Sequence, residues 1–352
     1  MIPLAYFDAF ATRYQPYKDG NWCYEDGCIY RGLVTLHRAT GEARWLAHLV
    51  RLTDRQIAKD GTLAGYRIDE FNIDHILAGR CLFHLAEQTG EARYLAAAGH
   101  LAAQLKQHPR TQAGNYWHKN RYPEQVWLDG LYMGLPFQIE YGQMLDDATL
   151  IEDALAQLST ALEVTRGPHG LYVHAYDAAR AQPWADTVTG QSGAVWARAL
   201  GWLAMALVDI AALAPKRAPR RQTQALLAAI LREQSPSTLW PQVLDAPQLR
   251  GNYDESSASA MFAYALLRAE RLGLGPYGPA GRRALTTLIQ DRLVMQDGEV
   301  AFTKIVHVAG LGGYENRYRD GSAAYYLTEP LVSDDAKGVG PLMMACAEAL
   351  RA

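Results

Sequence analysis

Cysteine is scarce in this chain, with four among 352 residues. Cys23, Cys28, Cys81 and Cys346 lack the paired spacing of a zinc site and are too few for a disulfide scaffold, so buried free thiols are expected. No run of about 18 apolar residues is present, which argues against a membrane-spanning helix. The first twenty residues carry no basic leader and meet Asp8 before any apolar stretch long enough for a signal peptide, so a cytoplasmic location is expected. A formal net charge of -3, with no Lys/Arg-rich run, argues against nucleic acid as a partner. Phosphate loops, dinucleotide fingerprints after a strand, HExxH and GxSxG are all missing, and glycine-rich 310–317 lacks the strand context of a nucleotide site. Chemistry without a metal or cofactor is therefore expected. Nothing in the pattern sets an oligomeric state.

What is present is helical periodicity with an internal echo. The pentapeptide TGEAR occurs at 40–44 and again at 89–93, each time between two apolar-periodic stretches, which marks a tight turn inside a helical hairpin. The same reading places helices at 27–39 and 42–58, 72–88 and 91–106, 131–144 and 148–164, 190–213 and 219–233, 255–272 and 279–292, and 318–328 and 335–350. Short β-ribbon pieces fit 170–176 and 299–303. No Pro/Gly/Ser-rich linker divides the series, so residues 1–352 are expected to form one all-α domain, six hairpins closed into a double ring. The turns inside the early hairpins are plain. The segments entering each first helix are long and rich in aromatics, His and acids, as in GYRIDEFNIDH, GNYWHKNRYPEQVWLDG and GLGGYENRYRDG, and a ring would gather them at one mouth. An aromatic, acid-bearing cleft of that kind suits sugars.

Within VWLDGLYMGLPF, Asp129 stands among Trp127, Tyr132 and Met133. A carboxylate enclosed by such groups loses hydration, which favours the protonated acid and suits proton exchange; the alternative is that Asp129 caps a helix. Asp74, which opens the third helix, carries the same two readings. His174, flanked by Tyr172, Tyr176 and Asp177, is either a site residue or a hydrogen-bonded structural one. Arg198 and Trp202 are four apart, on one helical face, and can either hold a sugar carboxylate or pack as a cation–π pair. Trp22, Tyr24, Tyr116, Trp117, His118 and Trp240 are candidate cleft walls, though aromatics also build cores. Glu255 is accounted for by N-terminal capping.

Taken in order, NWCYEDG, IDHILAGR, YWHKNRYPEQVWLDGLYMGLPF, HAYD, VWARALGW, ESSASAMFAYALLRA and DDAKGVGPLMMACAE resemble the unsaturated rhamnogalacturonyl hydrolases of glycoside hydrolase family 105, and more distantly the unsaturated glucuronyl hydrolases of family 88. The resemblance covers nearly the whole chain and implies an (α/α)6 barrel. It implies that Asp129 is the catalytic acid and base, that Asp74 assists, and that Tyr24, His118, His174, Arg198 and Trp202 line the substrate site, with Trp127 and Met133 read as contacts inside the catalytic motif. The implied partner is an oligosaccharide ending in an unsaturated uronate left by a lyase. Many relatives read Gly-Asn where this chain has Ala199 and Leu200, which bears on the sugar preferred. Three other readings stay open on the residues alone. One is an inverting glycosidase pairing Asp129 with Asp74 or Glu255, another a sugar epimerase using His118 and His174, and the third a non-catalytic sugar-binding module.

Overall fold

A computed structural model describes residues 2–351. In chain order the helices are α1 (Leu4–Arg13), α2 (Tyr24–Thr40), α3 (Ala43–Thr53), α4 (Arg80–Thr89), α5 (Ala92–Gln107), α6 (Leu128–Leu145) and α7 (Ala148–Val164). They continue as α8 (Ala197–Leu213), α9 (Arg220–Arg232), α10 (Ser256–Arg271), α11 (Gly278–Asp291), the short α12 (Ala323–Tyr326) and α13 (Ala336–Leu350). Among the described residues, no helix is long and apolar enough to cross a membrane. All four cysteines are buried free thiols, as expected.

Both TGEAR turns work through their glycines. Gly41 and Gly90 take φ of 69° and 73°, the left-handed conformation that closes a helix and that a side chain disfavours. Thr40 and Thr89 then accept the backbone N–H of Glu42 and Glu91 at 3.2 Å each, and α3 and α5 begin. Helices α2, α4, α6, α8, α10 and α13 pack each on the next, and α13 returns to α2 to close the inner ring. The closing contact is the tightest. A Cβ at Gly340 would lie 2.3 Å from the carbonyl oxygen of Cys28, so only glycine lets α13 and α2 approach this closely.

The sixth hairpin is not where the periodicity put it. Residues 318–328 hold a single helix, the short α12, and α13 forms the sixth inner wall of the ring. The matching outer helix comes from the other end of the chain. Helix α1 buries Tyr6, Phe7 and Phe10, packs on α3, and ties to Asp334 just ahead of α13 through Tyr6 Oη (2.6 Å) and Arg13 Nη2 (2.8 Å). Three other boundaries move: 190–196 is not helical, α3 stops at Thr53, and Ile73–Gly79 is a 3-10 segment running into α4.

Short strands serve the mouth. Strand β1 (Gln125–Trp127) pairs antiparallel with β2 (Ala175–Asp177), which overlaps the end of the expected 170–176 piece. Strands β3 (Leu293–Gln296) and β4 (Glu299–Phe302) form the expected hairpin near 299–303. Two more ribbons follow: β5 (Ile305–Val306) pairs with β8 (Leu331–Val332), and β6 (Gly312–Tyr314) with β7 (Arg317–Arg319).

At the far end of the ring, α8 carries Asp209, fully buried. Its carboxylate accepts Arg80 Nη1 at 2.7 Å and Tyr264 Oη at 2.5 Å, and Arg268 Nε lies 3.0 Å away. Glu140 engages Arg80 at 2.8 Å, Glu348 engages Arg268 at 2.8 Å and Arg271 at 2.6 Å, and Arg31 of α2 lies 3.7 Å from Asp209, so all six inner helices share one charge network. Burial opposes the Asp209 anion, yet Arg268, Arg80 and Arg31 hold it well below the usual carboxylate range.

Candidate active site

Asp129 enters the mouth because β1 stops at Trp127 and α6 starts at once. Trp127 holds the cap position without a side-chain bond, and Asp129 makes no hydrogen bond to the helix backbone, so the capping reading is not realised. Pro136 lies inside α6 instead of in its first turn. Pairing of β1 with β2 delivers His174 to the same place, since Leu128 N donates to the His174 carbonyl at 3.0 Å. The His174 ring is fully buried. Its Nδ1 meets Tyr326 Oη at 2.7 Å, while its Nε2 lies 3.2 Å from Asp129 Oδ2 but off the hydrogen-bond axis, leaving both of those buried atoms unsatisfied. A buried polar atom without a partner calls for an explanation, and two such atoms facing each other at the edge of a cleft are open to a bound group.

Asp74 has a different surrounding. Asn72, not Asp74, caps the 3-10 segment by accepting Asp74 N at 3.1 Å, which frees the Asp74 carboxylate for Lys119 Nζ at 2.7 Å, with His118 Nε2 at 3.7 Å. Burial raises the Asp74 pKa, but Lys119 and His118 outweigh it and bring the value to about 2. Its Oδ1 keeps no partner. His118 itself is lowered to about 4, chiefly by burial, with Asp74 opposing and Lys119 assisting, so it is neutral near pH 7. The His118 ring stacks on Trp127 at 4.3 Å, and Trp127 stacks on Tyr122 at 4.9 Å.

These groups share one cleft of about 840 Å³, lined among others by Trp22, Tyr24, Asp74, His118, Trp127, Asp129 and Met133. That size suits a small oligosaccharide. His174 stands directly behind Asp129 without lining the cleft. Arg198 and Trp202 depart further from expectation. The Arg198 guanidinium turns away from Trp202 to lie over Trp196 at 5.1 Å and donates to the carbonyls of Val306 and, at 3.1 Å, His307, whereas Trp202 stacks on Tyr132 at 5.3 Å. Neither lines the cleft, because the backbone of β5 offers the arginine buried acceptors that a neighbouring ring lacks. Ala199 and Leu200, fully buried in the wall of α8, also stay out of it. Glu255 caps α10 through Ser257 N (3.0 Å) and Ala258 N (2.7 Å), so it is no partner for Asp129. Tyr116 bonds Gln138 at 2.9 Å and Trp240 bonds the Ile230 carbonyl at 2.7 Å, both as packing residues. Among the described residues, no group of three or more His, Cys, Asp or Glu is placed to hold a metal ion.

Residue-by-residue reading missed Lys119, Arg121, Tyr122 and Arg319 in the lining, and Tyr326 behind it. The first four belong to the dense segments GNYWHKNRYPEQVWLDG and GLGGYENRYRDG, so the segments were visible although these members were not singled out. Tyr326 gave no signal.

Comparison with known proteins agrees with this geometry. The model of Glycosyl Hydrolase Family 88 matches residues 7–352. The chain is similar to a solved glycoside hydrolase of family 105 from C. acetobutylicum ATCC 824, with 36% identity, 99% of each chain covered and a TM-score of 0.93. It is 28% identical over 295 residues to the unsaturated rhamnogalacturonyl hydrolase YesR of Bacillus subtilis, covering 80% of this chain and 79% of that protein. Over 229 residues it is 58% identical to Protein Atu3128 of Agrobacterium fabrum, covering 62% of this chain and 98% of that protein. The chain therefore belongs to glycosyl hydrolase family 88 and its family 105 relatives, and is an enzyme with their barrel.

Proposed function

We propose that this glycoside hydrolase removes the 4,5-unsaturated uronate from the non-reducing end of lyase-generated oligosaccharides, unsaturated galacturonyl-rhamnose first among them, by hydrating the C4=C5 vinyl ether. The observation that carries the reading is Asp129, a carboxyl group in the first turn of α6 with no capping bond and one buried oxygen left unpartnered beside His174. Asp74, held at about 2, has no proton to give near neutrality, so of the two cleft aspartates only Asp129 fits the donor role.

In this reading protonated Asp129 gives its proton to C4, and the positive charge that develops at C5 is shared with the ring oxygen. The resulting carboxylate accepts a proton from the water that attacks C5. The hemiketal so formed opens the ring and expels the second sugar as its alcohol, and Asp129 is again protonated. His174, fixed by Tyr326, holds the Asp129 carboxylate in place. Anionic Asp74 and neutral His118 orient sugar hydroxyls, and Trp127, Tyr24 and Met133 shape the apolar wall. The rhamnosyl preference is supported by likeness to the Bacillus subtilis rhamnogalacturonyl enzyme.

A panel of lyase-generated unsaturated disaccharides, followed by loss of the ultraviolet absorbance of the double bond, tests this. Turnover of the galacturonyl-rhamnose member with release of rhamnose is expected, with saturated glycosides left intact. Robust cleavage of a saturated glycoside would instead make Asp129 and Asp74 the pair of an inverting glycosidase.

A further inference from the structure

Among the cations in the cleft, most already have carboxylate partners. Lys119 pairs with Asp74 at 2.7 Å, Lys18 with Glu25 at 3.5 Å and Arg67 with Asp69 at 2.8 Å. Arg319 and Arg121 line the same cleft, and among the described residues neither has a carboxylate within 4.0 Å. For Arg319 this is unusual, because only 4% of the residue is exposed and a buried unpaired charge is costly. The hairpin of β6 and β7 holds it by carbonyls alone: Nε donates to Gly312 at 3.3 Å, Nη2 to Leu311 at 2.9 Å, and Nη1 makes no hydrogen bond. Gly310 leaves room for that free nitrogen, since a Cβ there would lie 2.5 Å from Nη1.

Tyr122 joins the two guanidinium groups. Its hydroxyl oxygen accepts Arg121 Nη2 at 2.7 Å and Arg319 Nη2 at 3.1 Å, which occupies both lone pairs and leaves the O–H proton for another acceptor. Two charged donors and a phenolic proton therefore converge where no protein anion sits. The Tyr122 ring stacks on Trp127 at 4.9 Å, two residues ahead of Asp129, and Arg121, Tyr122, Arg319 and Asp129 line the same cleft. A carboxylate on C5, one carbon from the C4 that Asp129 protonates, would fall within this span.

We propose that Arg319, with Arg121 and Tyr122, is the anchor for the C5 carboxylate of the unsaturated uronate, and so makes the enzyme selective for the free acid over its ester. This rests on the hydrolase reading above. It also places a de-esterifying reaction before this one wherever the uronate begins as an ester, because an ester cannot accept charge-assisted bonds from two arginines as a carboxylate does.

The test compares unsaturated galacturonyl-rhamnose with its methyl ester, a pair in which the only carboxylate is the one in question. Wild type is expected to prefer the acid by roughly 10- to 100-fold in kcat/KM. Arg319→Gln should lose most of that factor on the acid, mainly through KM, and so bring the acid-to-ester ratio close to one. Arg319→Lys should recover part of the loss, and Gly310→Ala, which crowds Nη1 without removing charge, should show a smaller loss of the same kind. Arg121→Gln, at an exposed position, repeats the comparison if Arg319→Gln is not recovered folded. An acid-to-ester ratio left at the wild-type value in these variants overturns the anchor alone. Wild type inactive on both substrates overturns the hydrolase reading, and the anchor with it.

Discussion

Each end of the barrel holds an aspartate, fully buried at the far end and partly buried at the mouth, and the two are treated in opposite ways. Asp209, at the far end, is enclosed by Arg80, Arg268 and Tyr264, and every charge around it has a counter-charge. Asp129, at the mouth, keeps one oxygen unpartnered beside a histidine nitrogen that is equally unpartnered. A carboxylate whose bonds are all made within the protein serves the fold, since it has no capacity left for a ligand. One with a bond left open keeps capacity for a ligand.

The sharpest way to break this contrast is to neutralise each acid in turn. Asp129→Asn should lower kcat by about 10³-fold or more in the absorbance assay while leaving the thermal midpoint unchanged or slightly raised. Wild-type turnover from this variant would remove Asp129 from the mechanism. Asp209→Asn should do the reverse, costing on the order of 3 kcal/mol in denaturant unfolding because the arginines lose their shared counter-ion, with kcat of the folded enzyme within about twofold of wild type. A large kcat defect there would show that the far end reaches the site.

A smaller effect tests how the mouth is tuned. With Lys119→Gln, Asp74 loses the ammonium that holds its carboxyl at about 2 and therefore binds a proton at higher pH. If anionic Asp74 is needed, the acidic limb of kcat/KM should move upward by roughly one pH unit. An unmoved limb would make Asp74 a packing residue.

The smallest effect concerns stability against pH. Burial lowers His75 to about 3 and His84, His108 and His118 to about 4, against an ordinary 6.5. Between about 6.5 and 4 the unfolded chain binds protons that the folded chain refuses, so stability should fall as pH drops through that window and level off above it. His84→Gln should reduce the proton uptake on unfolding by at most about one, read from the slope of stability against pH. No change would mean that His84 takes up its proton within the fold.

Much of this was legible from the residues. Five hairpins and the TGEAR turns follow from apolar period and from glycines at helix ends, which are local properties. The mouth was legible as a set of dense loops, and Asp129 as the acid in apolar company. Helix α1 was not, because four buried residues near a chain end form too short a stripe to stand out, and its role becomes visible only once α13 lacks an outer partner. The Arg198 and Trp202 pair failed for a related reason: helical spacing places two side chains on one face but says nothing of the β5 carbonyls that compete for the arginine.

Sequence alone thus determined the helical repeat, the gathering of chemistry at one end of each hairpin, and the aspartate most in need of a function. Tertiary structure decided which charges are spent on one another. Asp74 is committed to Lys119, and Asp209 to Arg80 and Arg268, whereas Asp129 and Arg319 are left without a partner of opposite charge. Pairing depends on distances of a few ångströms between segments far apart in the chain, as between Arg13 and Asp334, 321 residues apart, and no local pattern carries that information.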